Sequence, residues 1–264
     1  MMIEVQDLRI TFNAGTPLEN QALKGIDLSI PEGQFITVIG SNGAGKSTLL
    51  NALAGEFLSP KGSISLDGKD ISTWSVEKRA PQIARVFQDP LMGTCEDLTI
   101  EENLALAQAR TKTRGLGIAA KRQFRQHFMN KLKLLQLGLE NRLEDKIGLL
   151  SGGQRQAVSL LMASLQPMKL LLLDEHTAAL DPKTATFILE LTKNIVEESQ
   201  LTALMVTHSM SQALSVGSRT IMLHQGKLAL DVHGESREGL NTQDLLAQFH
   251  KNYGEVDDDA LLLS

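Results

Sequence analysis

The chain has 264 residues, 42% hydrophobic and 22% charged, which is the balance of a soluble globular protein and not of a disordered one. Its net charge of −5 argues against a basic surface for nucleic acid, so no nucleic-acid partner is expected. No run of about 18 apolar residues is present to span a bilayer, and no secretory signal opens the chain, so work at a membrane would require another subunit to hold it there.

Residues 2–13, MIEVQDLRITFN, alternate apolar and polar side chains and predict a strand. Further short strands are predicted at GIDLSI, QFITVIG, GSISLDG and ARVFQ, separated by the turn signals PEG, SPKG and LDGKD. The single cysteine, Cys95, cannot close an intramolecular disulfide, which fits a reducing compartment, and it lies beside none of the chemical motifs. From Thr99 to Leu149 strand signals thin out. Ile118, Phe124, Phe128, Leu132 and Leu135 recur at helical spacing among charges. The basic residues of this stretch (Arg110, Lys112, Arg114, Lys121, Arg122, Arg125, Lys131 and Lys133) read as a solvated helical face. A strand at KLLLLDE, a helix from Pro182 to Glu198, a strand at TALMVTH, a helix at SMSQALSVG and a hairpin around HQGK follow. The ending GEVDDDALLLS, acidic then apolar, is either a frayed tail or a segment docking on the core. Strand–helix alternation predicts a parallel sheet and an α/β fold.

Gly40, Ser41, Asn42, Gly43, Ala44, Gly45, Lys46 and Ser47 fit the pattern G-x-x-x-x-G-K-[ST], with Thr48 next in the helix. Glycines let successive backbone N–H groups converge on phosphate, and the helix adds its positive end. Lysine reaches the β- and γ-phosphates, and the serine hydroxyl can ligate Mg²⁺. An apolar strand precedes this loop and a helix follows, as the pattern requires. The leucines of LLLLDEHTAALD make a buried strand that ends on Asp174, placed to hold Mg²⁺, and on Glu175, placed to deprotonate an attacking water. In LLSGGQRQ, Ser151 is a natural N-cap, and Gly152 and Gly153 expose N–H groups at a helix start. That is a second anion-binding device, which a single phosphate loop in one chain does not need.

VFQDP places Gln88 after one strand and MVTHS places His208 after another. Taken in order, these pieces resemble the ATP-binding cassette family over roughly residues 2–235. The resemblance makes Gly40–Ser47 the Walker A loop, Gln88 the Q-loop, Ser151–Gln154 the signature, Leu170–Asp174 the Walker B strand, Ala179–Asp181 the D-loop and His208 the switch histidine. It implies a P-loop NTPase core, a mixed sheet with an antiparallel β subdomain, spanning 1–98 and 150–235. An α-helical subdomain at 99–149 would be inserted in it, and a C-terminal extension would run over 236–264. Phe12 would stack on adenine. Lys46, Ser47, Gln88 and Asp174 would hold ATP phosphates and Mg²⁺, with Ser47, Gln88 and Asp174 as the metal ligands. Glu175 would polarise the water, and His208 would steady the γ-phosphate. Each signature would serve the ATP of a second cassette, with Asp181 acting across that dimer.

The same resemblance implies the energy-coupling subunit of a bacterial importer, cytoplasmic and peripheral on the inner face of the membrane. Its partners would be permease subunits docking near Gln88–Asn103, a second copy of the chain, and an extracytoplasmic substrate-binding protein. The wording of LLLLDEHTAALDPKTA and of DLLAQFHKNYGEVDDDALLL looks like a subgroup whose binding proteins are of the aromatic amino-acid type. The alternative is a soluble non-transport cassette ATPase, such as one serving iron–sulfur cluster assembly. His176 departs from the family, most of whose members have proline there. It is read as a subgroup variant, with a pH-sensitive partnership with Glu175 as the other possibility.

Overall fold

The computed structural model describes residues 2–57, 61–110 and 122–253. In chain order its elements are β1 (Ile3–Phe12), β2 (Asn20–Ile30), β3 (Phe35–Ile39), α1 (Lys46–Ala54), β4 (Lys61–Leu66), β5 (Lys69–Asp70) and α2 (Val76–Arg79). They continue with β6 (Ile83–Val86), α3 (Ile100–Gln108), α4 (Arg122–Lys133), α5 (Gly152–Ser164), β7 (Leu170–Asp174) and α6 (Pro182–Glu198). The last are β8 (Thr202–Val206), α7 (Met210–Ser215), β9 (Arg219–His224), β10 (Lys227–His233) and α8 (Thr242–Tyr253). Two compact units result, residues 1–79 with 200–264 and residues 80–199. The stretch expected as a helical insertion, 99–149, lies wholly inside the second.

The first unit holds an antiparallel sheet in the order β2-β1-β4-β5. In β1 the buried positions run Ile3, Val5, Leu8 and Ile10, so the period of two skips once. A register shift between Val5 and Leu8, with Asp7 at φ 44, accounts for the skip, since a bulge resets which side chains face the core. A mixed set of strands accompanies it: β3 pairs in parallel with β8 on one side and β9 on the other, and β10 returns antiparallel to β9. Every residue of β3, β8 and β9 is buried, the pattern of strands covered on both faces. Leu245 and Phe249 of α8 pack with Ile39, Met210, Met222 and Val232, so the extension from 236 docks on this core as far as it is described. The acidic and apolar ending, residues 254–264, lies outside the described residues.

Arg79 anchors the far end of α1. Its buried guanidinium donates to the carbonyls of Ala52 and Leu53 in the last turn of that helix and to those of Ile71, Ser72 and Trp74. Burial pulls its pKa down to about 10, and the five carbonyls supply the hydrogen bonds that the charge lost with water.

In the second unit β6 and β7 pair in parallel. A core of Ile100, Leu104, Phe128, Leu132, Leu135, Leu139, Ile147, Val158, Leu161 and Ile188 draws α3 to α6 together. Phe128, Leu132 and Leu135 are three of the five residues that carried the helical periodicity; Ile118 lies outside the described residues, and Phe124 is partly buried against the same core. α3 begins with a capping box between Thr99 and Glu102. Of the basic stretch, Arg125 pairs with Glu101 at 2.6 Å and Glu144 at 2.9 Å, and Arg110 is partly buried, with its pKa lowered by that burial. Lys131 is partly covered and Lys133 exposed. Lys112, Arg114, Lys121 and the Arg122 side chain lie outside the described residues. No helix among the described residues is long and apolar enough to cross a membrane.

Candidate functional site

In the first unit the loop of residues 40–45 leaves the C-terminal end of β3 and runs straight into α1. Gly40 has φ 146, and a Cβ there would lie 2.2 Å from the carbonyl oxygen of Leu223 in β9. Gly45 caps α1 at φ 103, with Ala22 O only 2.8 Å from where its Cβ would stand. Both positions therefore require glycine, by conformation and by contact at once. The turn after β9 braces the loop from outside: Gly226 N–H donates to Ala44 O at 3.0 Å, while Lys24 N–H donates to Gly226 O at 2.8 Å.

No side chain caps the start of α1, so its first N–H groups keep the anion-attracting end of the helix for a ligand. Asn42, Gly43 and Ser47 are exposed, Ser41 and Thr48 half-covered, and Ala44 buried. The Lys46 ammonium is buried and folds back over the loop, donating to Gly40 O at 2.7 Å and Ser41 O at 3.1 Å. Two carbonyls thus hold a cation beside a row of backbone donors, which suits a phosphate chain.

His208 follows β8, the direct parallel neighbour of β3, and Thr207 N–H donates to Val38 O at 3.1 Å. Loop and histidine therefore leave the carboxyl ends of adjacent strands, where open α/β sheets bind ligands. Its surroundings are fixed: Ser209 caps α7 through Gln212 N–H, and Thr207 Oγ1 bonds to Gln212 Oε1 at 3.0 Å. Phe12, at the end of β1, is 37% exposed and meets Phe57 edge-on, with ring centroids 5.6 Å apart.

In the second unit β7 carries four fully buried leucines to Asp174, and the chain then turns at Glu175 with φ 46. A left-handed backbone is uncommon for glutamate and marks a conformation imposed by its surroundings. Asp174 Oδ2 accepts from Arg85 Nη2 of β6 at 2.5 Å. His176 is buried and its Nε2 lies 2.8 Å from Thr192 Oγ1 of α6. Gln88 is exposed just past β6, and the carbonyl before it, Phe87 O, is held by Gln156 Nε2 at 3.0 Å.

Ser151 caps α5 in a full capping box with Gln154. Gly153 has a second reason to be glycine, which its sequence context conceals. A Cβ on it would sit 2.2 Å from Thr184 Cγ2, so it lets α5 approach α6. Gly152 meets only Leu180, at 3.7 Å. Asp181 caps α6 by accepting from Thr184 N–H at 3.1 Å, with Pro182 in the first turn. Its hydrogen bonds with Thr184 hold its carboxyl below the usual range.

In the range expected to dock a permease, Leu91 is 40% and Met92 70% exposed. Asn103, its far end, is instead buried and staples the preceding loop, bonding to Cys95 N–H and to the carbonyls of Cys95, Leu98 and Thr99. Sequence reading missed Arg85 and Gln156 and placed Asn103 on a docking surface, because each is polar yet works inside the fold, where no local pattern distinguishes it from a surface residue.

A family model described as ABC transporter matches residues 23–178. The chain is 43% identical over 252 residues to the tyrosine transport ATP-binding protein of Clostridioides difficile (strain R20291), covering 94% of this chain and 98% of that one. It is 36% identical over 206 residues to the spermidine/putrescine import ATP-binding protein PotA of Mesoplasma florum, covering 78% of this chain but 55% of that longer one. Among solved structures, a dimeric ATP-binding cassette in a post-hydrolysis state bound to ADP and Pi is similar with TM-score 0.74 and 30% identity, over 88% of this chain and 98% of that one.

Proposed function

Because this chain belongs to the ABC transporter family, as one of its ATP-binding subunits, we propose that it powers import of an amino acid of the aromatic class. The observation that carries this reading is the near full-length match to a tyrosine transport subunit, supported by a second relative named for import. The chain is an ATPase of the cassette type, and these relatives favour transport over iron–sulfur cluster assembly.

In this reading the loop of Gly40, Ser41, Asn42, Gly43, Ala44 and Gly45, with Lys46, Ser47 and Thr48, binds the ATP phosphates, and Phe12 stacks on adenine. Glu175 orients and deprotonates the attacking water, and His208 contacts the γ-phosphate as charge develops. Ser151, Gly152, Gly153 and Gln154 present a capped helix start to the ATP of a second copy. Asp181, already the cap of α6, ties the chain after Glu175 to that helix.

In this reading Ser47, Gln88 and Asp174 are the residues that would hold Mg²⁺. Among the described residues no three His, Cys, Asp or Glu side chains cluster as a metal cage. One hydroxyl, one amide and one carboxylate make an all-oxygen set, which fits Mg²⁺ when nucleotide phosphates supply the rest of its shell. When bound there, Mg²⁺ neutralises charge on the β- and γ-phosphates.

The chain would sit on the cytoplasmic face of the membrane against permease subunits, with exposed Leu91 and Met92 as the apolar contact, and a binding protein would deliver the solute outside. Co-expression with the products of its neighbouring genes tests this. A permease should co-purify with the chain from solubilised membranes, and the aromatic amino acid should stimulate ATP hydrolysis by the reconstituted complex through its binding protein. A chain that remains in the soluble fraction alone would overturn the reading.

A further inference from the structure

Arg85 is an unusual residue for its place. It lies in β6 among Ile83, Ala84 and Val86, all buried, and its own side chain is 12% exposed. The parallel register sets Arg85 opposite Leu172, so Asp174, two residues further along β7, is its diagonal neighbour on the same face. There Nη2 meets Asp174 Oδ2 at 2.5 Å, with the aspartate side chain only 14% exposed. The guanidinium also lies over the Phe87 ring, 4.7 Å from its centroid, and Gln156 in turn holds Phe87 O at 3.0 Å. The arginine is thus fixed from two sides while it grips one oxygen of the carboxylate; the other oxygen, Oδ1, is not used by this pair.

We propose that Arg85 is a positioning residue that makes divalent-metal binding at Asp174 depend on nucleotide. This rests on the reading of Asp174 as a Mg²⁺ ligand. An isolated carboxylate at low exposure would attract any divalent cation. The Arg85–Asp174 pair carries no net charge of its own, so a free cation gains less from Asp174 than it would from a bare carboxylate. A nucleotide triphosphate brings several negative charges, and only with them does the site become attractive to a metal. The ion pair meanwhile holds the carboxylate through Oδ2. Arg85 therefore lowers intrinsic metal affinity and in return keeps the site from filling with metal alone.

The test is equilibrium Mn²⁺ binding, followed by electron paramagnetic resonance, with and without a non-hydrolysable ATP analogue. Wild-type chain without nucleotide should show no site filled at submillimolar Mn²⁺. Arg85→Met should create one, and should tighten Mn²⁺ binding in the presence of the analogue by about tenfold or more. Arg85→Lys keeps the charge and should behave as wild type. Arg85→Gln, which keeps polar reach without charge, should follow Arg85→Met and serves in its place if the methionine variant does not fold. Unchanged or weaker Mn²⁺ binding in both neutral variants overturns the proposal. Asp174→Asn separates the two claims: if it leaves Mn²⁺ binding with nucleotide intact, the metal assignment itself fails, whereas loss of that binding alongside unchanged neutral Arg85 variants refutes the role of Arg85 alone.

Discussion

His176 and Thr192 are joined by one buried hydrogen bond, 2.8 Å from the ring Nε2 to the threonine hydroxyl. Thr192 donates its own proton to Ile188 O, also at 2.8 Å, so the ring nitrogen is the donor and His176 is the Nε2–H tautomer. The histidine next to the candidate base is therefore an anchor that fastens the turn after β7 to the middle of α6. Thr192→Val should strand a buried N–H and cost about 1–3 kcal/mol in urea denaturation, while Thr192→Ser should cost much less. Equal losses in the two variants would refute the anchor.

The same burial predicts a pH dependence of stability. Desolvation lowers the His176 pKa from 6.5 to about 4. Between those values the unfolded chain binds a proton that the native ring does not. The contribution of His176 is thus complete above pH 6.5 and declines as pH falls towards 4. By pH 5 the loss should reach about 2 kcal/mol relative to pH 7. A His176→Gln variant should show a flatter stability profile between those pH values, and identical profiles would contradict the assignment.

Glu175→Gln keeps the size of the side chain in its left-handed turn and removes its basicity. Hydrolysis should fall by about 10²- to 10⁴-fold, with an ATP-bound dimer accumulating on size-exclusion chromatography. Wild-type turnover in this variant would remove Glu175 from the role of base.

Lys46→Ala deletes the ammonium now resting on the Gly40 and Ser41 carbonyls. ATP binding measured by equilibrium dialysis should be lost. Affinity retained in the micromolar range would contradict a phosphate contact.

Gly153→Ala drives a methyl group against Thr184 Cγ2, and the overpacking should cost about 1–3 kcal/mol. Thr184→Ala removes that methyl and leaves the Thr184 Cβ at 3.5 Å, an ordinary contact. The double variant should therefore recover most of the loss in thermal denaturation, and purely additive losses would show that the α5–α6 approach is not the cause.

What the sequence by itself determined is the chemistry that needs contiguous residues. A loop that wraps phosphate must spell its glycines and lysine in order, and the strands and helices flanking it follow from local pattern. The helix from Pro182 to Glu198 was readable end to end because Asp181 caps it and Pro182 begins it. The family, the α/β fold and its mixed sheet were legible for the same reason. Tertiary structure alone decided what the interior polar residues do. Arg85 and Asp174 stand 89 positions apart and Gln156 and Phe87 69 apart, and only strand register and helix packing bring them within hydrogen-bond distance. Gly153 looks like a donor of N–H groups until α6 is seen against it, and His176 like a candidate titrating partner of Glu175 until its ring is seen on Thr192. A residue type limits which bonds a side chain can make, but the partner is chosen by the fold, because burial makes each unmatched polar group costly.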